Sequence, residues 1–149
     1  KGSGTITLAG TSTGNIVASR DFASSKGITS SGPTGTGIGY ATGAGGAVTQ
    51  ITNRSTGVTV NKLTGAITTD TTSLAAGAEA VFTVTNSTVA VGDTVIVSAR
   101  SGQTTGTSIP VVTAVAAGSF DITLTNLHAS TADTGAMIIN FAVIKAVSA

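Results

Sequence analysis

The chain has 149 residues, seven Lys and Arg against six Asp and Glu, a net charge of +1, one His and no Cys. Only 9% of its residues are charged, where an ordinary soluble domain has about a quarter. These figures exclude a basic nucleic-acid-binding surface, a disulfide scaffold, a zinc site built on Cys or on several His, and charge-driven disorder; the length fits one domain, with or without an arm.

Residues 1–40 read as an extended N-terminal arm or anchor. Thr5-Ile6-Thr7-Leu8 and Asn15-Ile16-Val17 are short apolar alternations, and Arg20 to Lys26 is the one stretch that could turn helically. From Gly27 to Gly46 the chain is rich in Gly, Ser and Thr, too poor in large side chains to build a core. Ile6, Leu8, Ile16, Val17, Phe22 and Tyr40 are the candidate anchors of this arm. Tyr40 is the only tyrosine, and its ring can bury area while its hydroxyl finds a partner. The chain starts at Lys1 with no leader in view, as expected of a processed or trimmed product.

Residues 41–149 change character. Val, Ile and Thr dominate, and these β-branched side chains suit a pleated surface. Ala47 to Thr52 is the first expected strand. Gly57 to Asn61 and Gly65 to Thr69 are expected to pair as a hairpin across Lys62, Leu63 and Thr64. Leu74 to Gly77 reads as a loop. Glu79 to Asn86 follows as a strand, with Phe82 and Val84 on one face. Val91-Gly92-Asp93 turns the chain, and Thr94 to Arg100 and Ile109 to Val115 are further strands, separated by a Gly-bounded loop.

After a turn at Ala117-Gly118, Phe120, Ile122 and Leu124 alternate with Asp121, Thr123 and Thr125, the signature of one buried and one wet face. The last expected strand, Ala136 to Lys145, holds the longest apolar run, Ala136 to Ile144. Asn140 interrupts it, and it falls far short of the roughly 18 residues of a membrane helix. It is apolar on both faces, with Ile139, Phe141 and Val143 on one and Ile138, Ala142 and Ile144 on the other. Such a strand must be covered twice, once by the domain core and once by a second sheet or another subunit. The expectation is an all-β domain, an antiparallel, jelly-roll-like sandwich of about seven or eight strands, by their spacing. Its candidate core or subunit-interface residues are Phe82, Val84, Phe120, Ile122, Leu124, Ile139, Phe141 and Val143. A near-neutral surface of Thr, Ser and Ala loses little on desolvation, which favours a homo-oligomer.

No catalytic, cofactor-binding or metal-binding residues are expected. His128 has Ser119 and Ser130 in reach on paper, but no nucleophile-elbow Gly-x-Ser-x-Gly frames either. It reads as a loop histidine. No two of the six carboxylates lie within four residues of each other, and no calcium-loop pattern is present. Asp93 reads as a turn residue and Asp121 as a solvent-facing one. The Gly-rich runs at Gly35–Gly39 and Gly43–Gly46 are not followed by the Gly-Lys-Ser/Thr of a phosphate loop. The basic residues, Arg54 among them, are scattered and read as solvated charges or single ion pairs.

The run Gly37-Ile-Gly-Tyr-Ala-Thr-Gly-Ala-Gly-Gly-Ala-Val-Thr-Gln50 resembles a β-rich, C-terminal domain that recurs in tailed-bacteriophage virion surface proteins. So do Ser55-Thr-Gly-Val-Thr-Val-Asn-Lys-Leu-Thr-Gly-Ala-Ile-Thr68, Leu74-Ala-Ala-Gly77, Phe82-Thr-Val-Thr-Asn-Ser87 and Asn140-Phe-Ala-Val-Ile-Lys145. The match spans about residues 37–146; the preceding segment lies outside it. The resemblance implies a virion structural module, not an enzyme. It implies a homotrimer on a capsid decoration (cement), head fibre or tail fibre, with the major capsid protein or another virion protein as partner. No nucleic acid, membrane or cofactor is implied. Shortness favours a capsid decoration or head fibre over a tail fibre. In the tail-fibre reading the loops at Gln103–Gly106 and Ser130–Asp133 would contact a host surface. A tail-spike enzyme domain or a secreted adhesin is disfavoured by the short chain and by the lack of a leader.

Overall fold

Period-two alternation of Val, Ile and Thr builds the fold. The computed structural model describes residues 39–40, 43–104 and 107–146, and the chain divides between Gly39 and Tyr40. Five of the proposed anchors, Ile6, Leu8, Ile16, Val17 and Phe22, lie outside the described residues, as do both N-terminal alternations and the stretch Arg20 to Lys26.

The described residues form eight strands and no helix: β1 (Gly45–Thr49), β2 (Val58–Thr59), β3 (Thr64–Thr68), β4 (Glu79–Thr85), β5 (Thr94–Ser101), β6 (Ser108–Ala116), β7 (Ser119–Asn126) and β8 (Ile138–Ile144). They make two four-stranded sheets, ordered β1-β3-β8-β5 and β2-β4-β7-β6. The all-β, sandwich-like class expected from the sequence is the class observed. Strand β4 shows why: its residues alternate exposed and buried without a break, with Ala80, Phe82 and Val84 inward.

The expected hairpin does not form. The two segments join opposite sheets, β2 beside β4 and β3 between β1 and β8. Alternation specifies which side chains turn inward, and it is blind to which sheet supplies them. Val58, Val60 and Ile67 all reach the core, from opposite sides. The crossing at 60–63 is held by Asn86, whose buried amide donates to Lys62 O at 2.7 Å, and by Asn61, which accepts from Ser87 N at 2.8 Å. Because each early strand is followed by one in the other sheet, β1–β3 and β2–β4 run parallel. The other four pairings are antiparallel, as expected.

All eight proposed core residues lie buried between the sheets. Phe82, Val84, Phe120, Ile122 and Leu124 from the second sheet meet Ile67, Ile139, Phe141 and Val143 from the first. Each such side chain contributes about 1.5–3 kcal/mol of apolar burial. The Phe120 and Phe141 rings sit 5.6 Å apart, tilted by 50°. Phe141 pairs with Gly65 across β8 and β3, and its ring occupies the place of a side chain there: a Cβ on Gly65 would lie 2.8 Å from Phe141 Cε1 and 2.4 Å from Gly46 O. At the tight turn between β6 and β7, Gly118 takes a φ of 80°, as a two-residue hairpin loop demands.

Topology sorts the connections. Links 50–57, 69–78 and 127–137 and residues 102–104 and 107 gather at one end, the loop end. Links 60–63, 86–93 and 117–118 gather at the other. Tyr40 belongs to this second end, where its hydroxyl donates to Val143 O. The ring is partly exposed, and the bond ties the start of the domain to the end of β8.

Candidate functional site

The loop end holds most of the buried polar side chains of the described residues. Arg54, read from sequence as a solvated charge, is 3% exposed. It sits in link 50–57 and reaches the neighbouring links: Nε donates to Thr72 O, and Nη2 donates to Asp133 O at 3.1 Å and Gly135 O at 2.8 Å. Its carboxylate partner, Asp133, is fully buried, with Oδ1 at 3.7 Å from Nη2. That is an ion pair without a hydrogen bond, since Oδ1 is occupied by the N–H groups of Thr104 and Gly135, both at 3.0 Å. Ser108 Oγ, Asp133 Oδ2 and Arg54 Nη1 are buried without a hydrogen-bond partner.

Two buried amides complete the lattice. Gln50 donates to Arg54 O and Thr56 O and accepts from Asp70 N. Asn126 donates to Leu74 O, Ala75 O and Thr131 O and accepts from His128 N. Leu74 and Asp133 exchange backbone hydrogen bonds at 2.9 Å, so the loop read at Leu74–Gly77 is pinned to link 127–137. Gly102 and Gly135 let backbones touch: a Cβ on either would fall 1.9 Å from a carbonyl oxygen of the facing link. The result is a platform of four links cross-braced by side chains. Its outward side chains are uncharged for the most part, with Ile51 and Leu127 the exposed large apolar ones.

Other candidates resolve separately. His128 is a loop residue whose Nδ1 accepts from the N–H groups of Ser130 and Thr131, so that nitrogen is committed to its own turn. Of the two proposed contact loops, Thr104 and Asp133 are joined, while residues 105–106 lie outside the described residues. Asp121 on β7 accepts from Thr83 Oγ1 at 2.7 Å on the outer face of the second sheet. Asp93 is more than a turn residue. Its side chain is 2% exposed, pairs with Lys145 Nζ and accepts from Ala90 N and Ala146 N. It clips the chain as it leaves β8. Among the described residues no three His, Cys, Asp or Glu converge as a metal site would need.

Three carboxyls are held below their ordinary value of 3.8. Burial opposes the charge on Asp133, but the Ser108 hydroxyl, the Thr104 and Gly135 N–H groups and Arg54 outweigh it. Lys145 and the Ala90 N–H lower Asp93; the Thr72 hydroxyl and N–H lower Asp70. A depressed folded value means stabilisation that is complete above the unfolded value and is lost as pH falls through the folded one. The urea midpoint should therefore hold steady from about pH 8 to 5 and drop below about pH 4. A midpoint that rises on acidification would contradict the assigned ionic contacts.

No family model, curated protein or solved structure matches this chain.

Proposed function

We propose that the chain is a structural protein of a tailed-bacteriophage virion, a capsid decoration or head-fibre protein that binds the shell and projects from it as a homotrimer. The observation that carries this reading is where the resembling motifs fall. Gly37–Gln50 contains β1, Ser55–Thr68 contains β2 and β3, Phe82–Ser87 contains most of β4 and Asn140–Lys145 most of β8, so the motifs fall on both sheets, β1, β3 and β8 as neighbours in one and β2 and β4 as neighbours in the other. The buried polar groups support a structural role: Arg54, Asp133, Gln50 and Asn126 are used in bracing links to one another.

In this reading the segment 1–39 attaches to the shell through many small apolar contacts, repeated across subunits and so strengthened by effective concentration. Full-length protein should sediment with heads of the encoding phage that lack it, and a chain beginning at Tyr40 should stay folded yet fail to sediment. Heads that ignore the full-length chain would sink the shell assignment, and equal binding by the shortened chain would sink the anchor. A second reading, a tail-fibre or tail-tip module that binds the host surface, is favoured by one observation: Thr104 is joined to Asp133 and Thr134 of link 127–137 at the end opposite Tyr40. Binding to host cells and not to heads would select it.

A further inference from the structure

Among the described residues, three buried side-chain polar atoms lack a hydrogen-bond partner: Arg54 Nη1, Asp133 Oδ2 and Ser108 Oγ. All three fall in one cluster. Arg54 and Asp133 meet through Nη2 and Oδ1 at 3.7 Å. Nη1 and Oδ2 are the second atoms of the same two small planar groups, so they lie close to that contact. Ser108 stands beside the carboxyl, and its hydroxyl favours the charged form. Ser108 and Asp133 are 0% exposed and Arg54 3%. The remaining polar atoms of the two charged groups are in use. Nε and Nη2 donate to carbonyl oxygens, and Oδ1 accepts from Thr104 N and Gly135 N.

Leaving a donor or acceptor of a buried charged group unmet is costly, and native chains seldom do it. The three atoms complement one another. Nη1 can only donate, an ionised Oδ2 can only accept, and a hydroxyl does either. We propose that one ordered water molecule is bound here, accepting from Arg54 Nη1, donating to Asp133 Oδ2 and sharing its third bond with Ser108 Oγ. Charge chooses the occupant. The guanidinium and the carboxylate already cancel, so an anion would press on Asp133 and a cation on Arg54. Water is neutral and both donates and accepts. Buried waters make about three hydrogen bonds each, which matches the three unmet atoms.

The site has a structural consequence. Arg54 lies in link 50–57 and Asp133 in link 127–137, and both links pass between the sheets. Ser108 opens the edge strand β6, opposite Asn126 of β7. Its side chain makes no bond of its own to the brace. The water carries the brace from those two links across to β6.

The test uses the full chain and Ser108→Val, whose branched side chain suits a strand and puts methyl groups in the place of the hydroxyl and the water. A crystal structure fine enough to show ordered water locates the site. Relaxation dispersion of the water oxygen nucleus, which is blind to exchanging hydroxyl protons, counts long-lived waters in solution. Circular dichroism checks that each variant is folded. Expected is a density peak within hydrogen-bond distance of Nη1 and Oδ2, and one long-lived water fewer in Ser108→Val. Ser108→Ala removes the hydroxyl without adding bulk, so it should keep the water on its two charged partners. If Ser108→Val does not fold, the peak in the unaltered chain and the count in Ser108→Ala decide. A crystal structure in which Nη1 and Oδ2 bond directly to protein atoms, with no water between them, overturns the proposal. An unchanged count in a folded Ser108→Val overturns it as well.

Discussion

Replacing Phe141 by Asp should abolish the folded state. The ring is 2% exposed, lies against Phe120 and fills the space above Gly65. Losing a buried Phe costs about 3–5 kcal/mol through transfer and cavity together. An unpaired carboxylate at the same place adds a charge that nothing nearby can neutralise, because its neighbours are Gly65, Val97 and the core apolar side chains. Domains have only about 5–15 kcal/mol to lose. Circular dichroism should show no cooperative melt, and the protein should fall into the insoluble fraction. Phe141→Leu, which keeps apolar volume, should still melt cooperatively at a lower temperature. A soluble Phe141→Asp protein with a native-like melt would move this side chain out of the core.

Much of the fold was legible because strand side chains obey a period of two. Phe120, Ile122 and Leu124 announce an inward row, and so do Phe82 and Val84. Sheet membership was not legible. The links 60–63 and 117–118 are both short, yet one crosses between sheets and the other closes a hairpin, and the difference lies in distant partners such as Asn86. The second apolar row of β8 was visible as Ile138, Ala142 and Ile144, and it remains uncovered by the described chain in part, with Ile144 exposed. Arg54 and Asp133 were missed for a different reason. They lie 79 positions apart in loops, where no periodicity applies. A buried Arg in a chain so poor in charge leaves no local trace, since its partners are mostly carbonyl oxygens that every residue type supplies. Asp93 escaped in the same way: Val-Gly-Asp reads as a turn, and its hold on Lys145 and Ala146 depends on β8 returning beside it.

Arg54 tests how far the loop end depends on that pair. In Arg54→Met the apolar stem is kept and the charge removed, so Asp133 stays buried without its cation, and the carbonyls of Thr72 and Gly135 lose a donor. Breaking a buried pair from one side costs about 3–5 kcal/mol, because the remaining charge is uncompensated. The melt should shift down by about 10 °C or more for a domain of this size. Asp133→Asn separates charge from hydrogen bonding: its amide oxygen can still accept from Thr104 and Gly135, so its loss should be the smaller of the two. Arg54→Met combined with Asp133→Asn should recover part of the loss, since no unpaired buried charge remains. Strict additivity of the two changes would mean that charge at 3.7 Å contributes nothing and that Arg54 acts only through the carbonyls it binds. Hydrogen exchange gives the spatial readout: in Arg54→Met, protection should fall first in links 69–78 and 127–137, while the central strands β7 and β8 keep theirs until global unfolding.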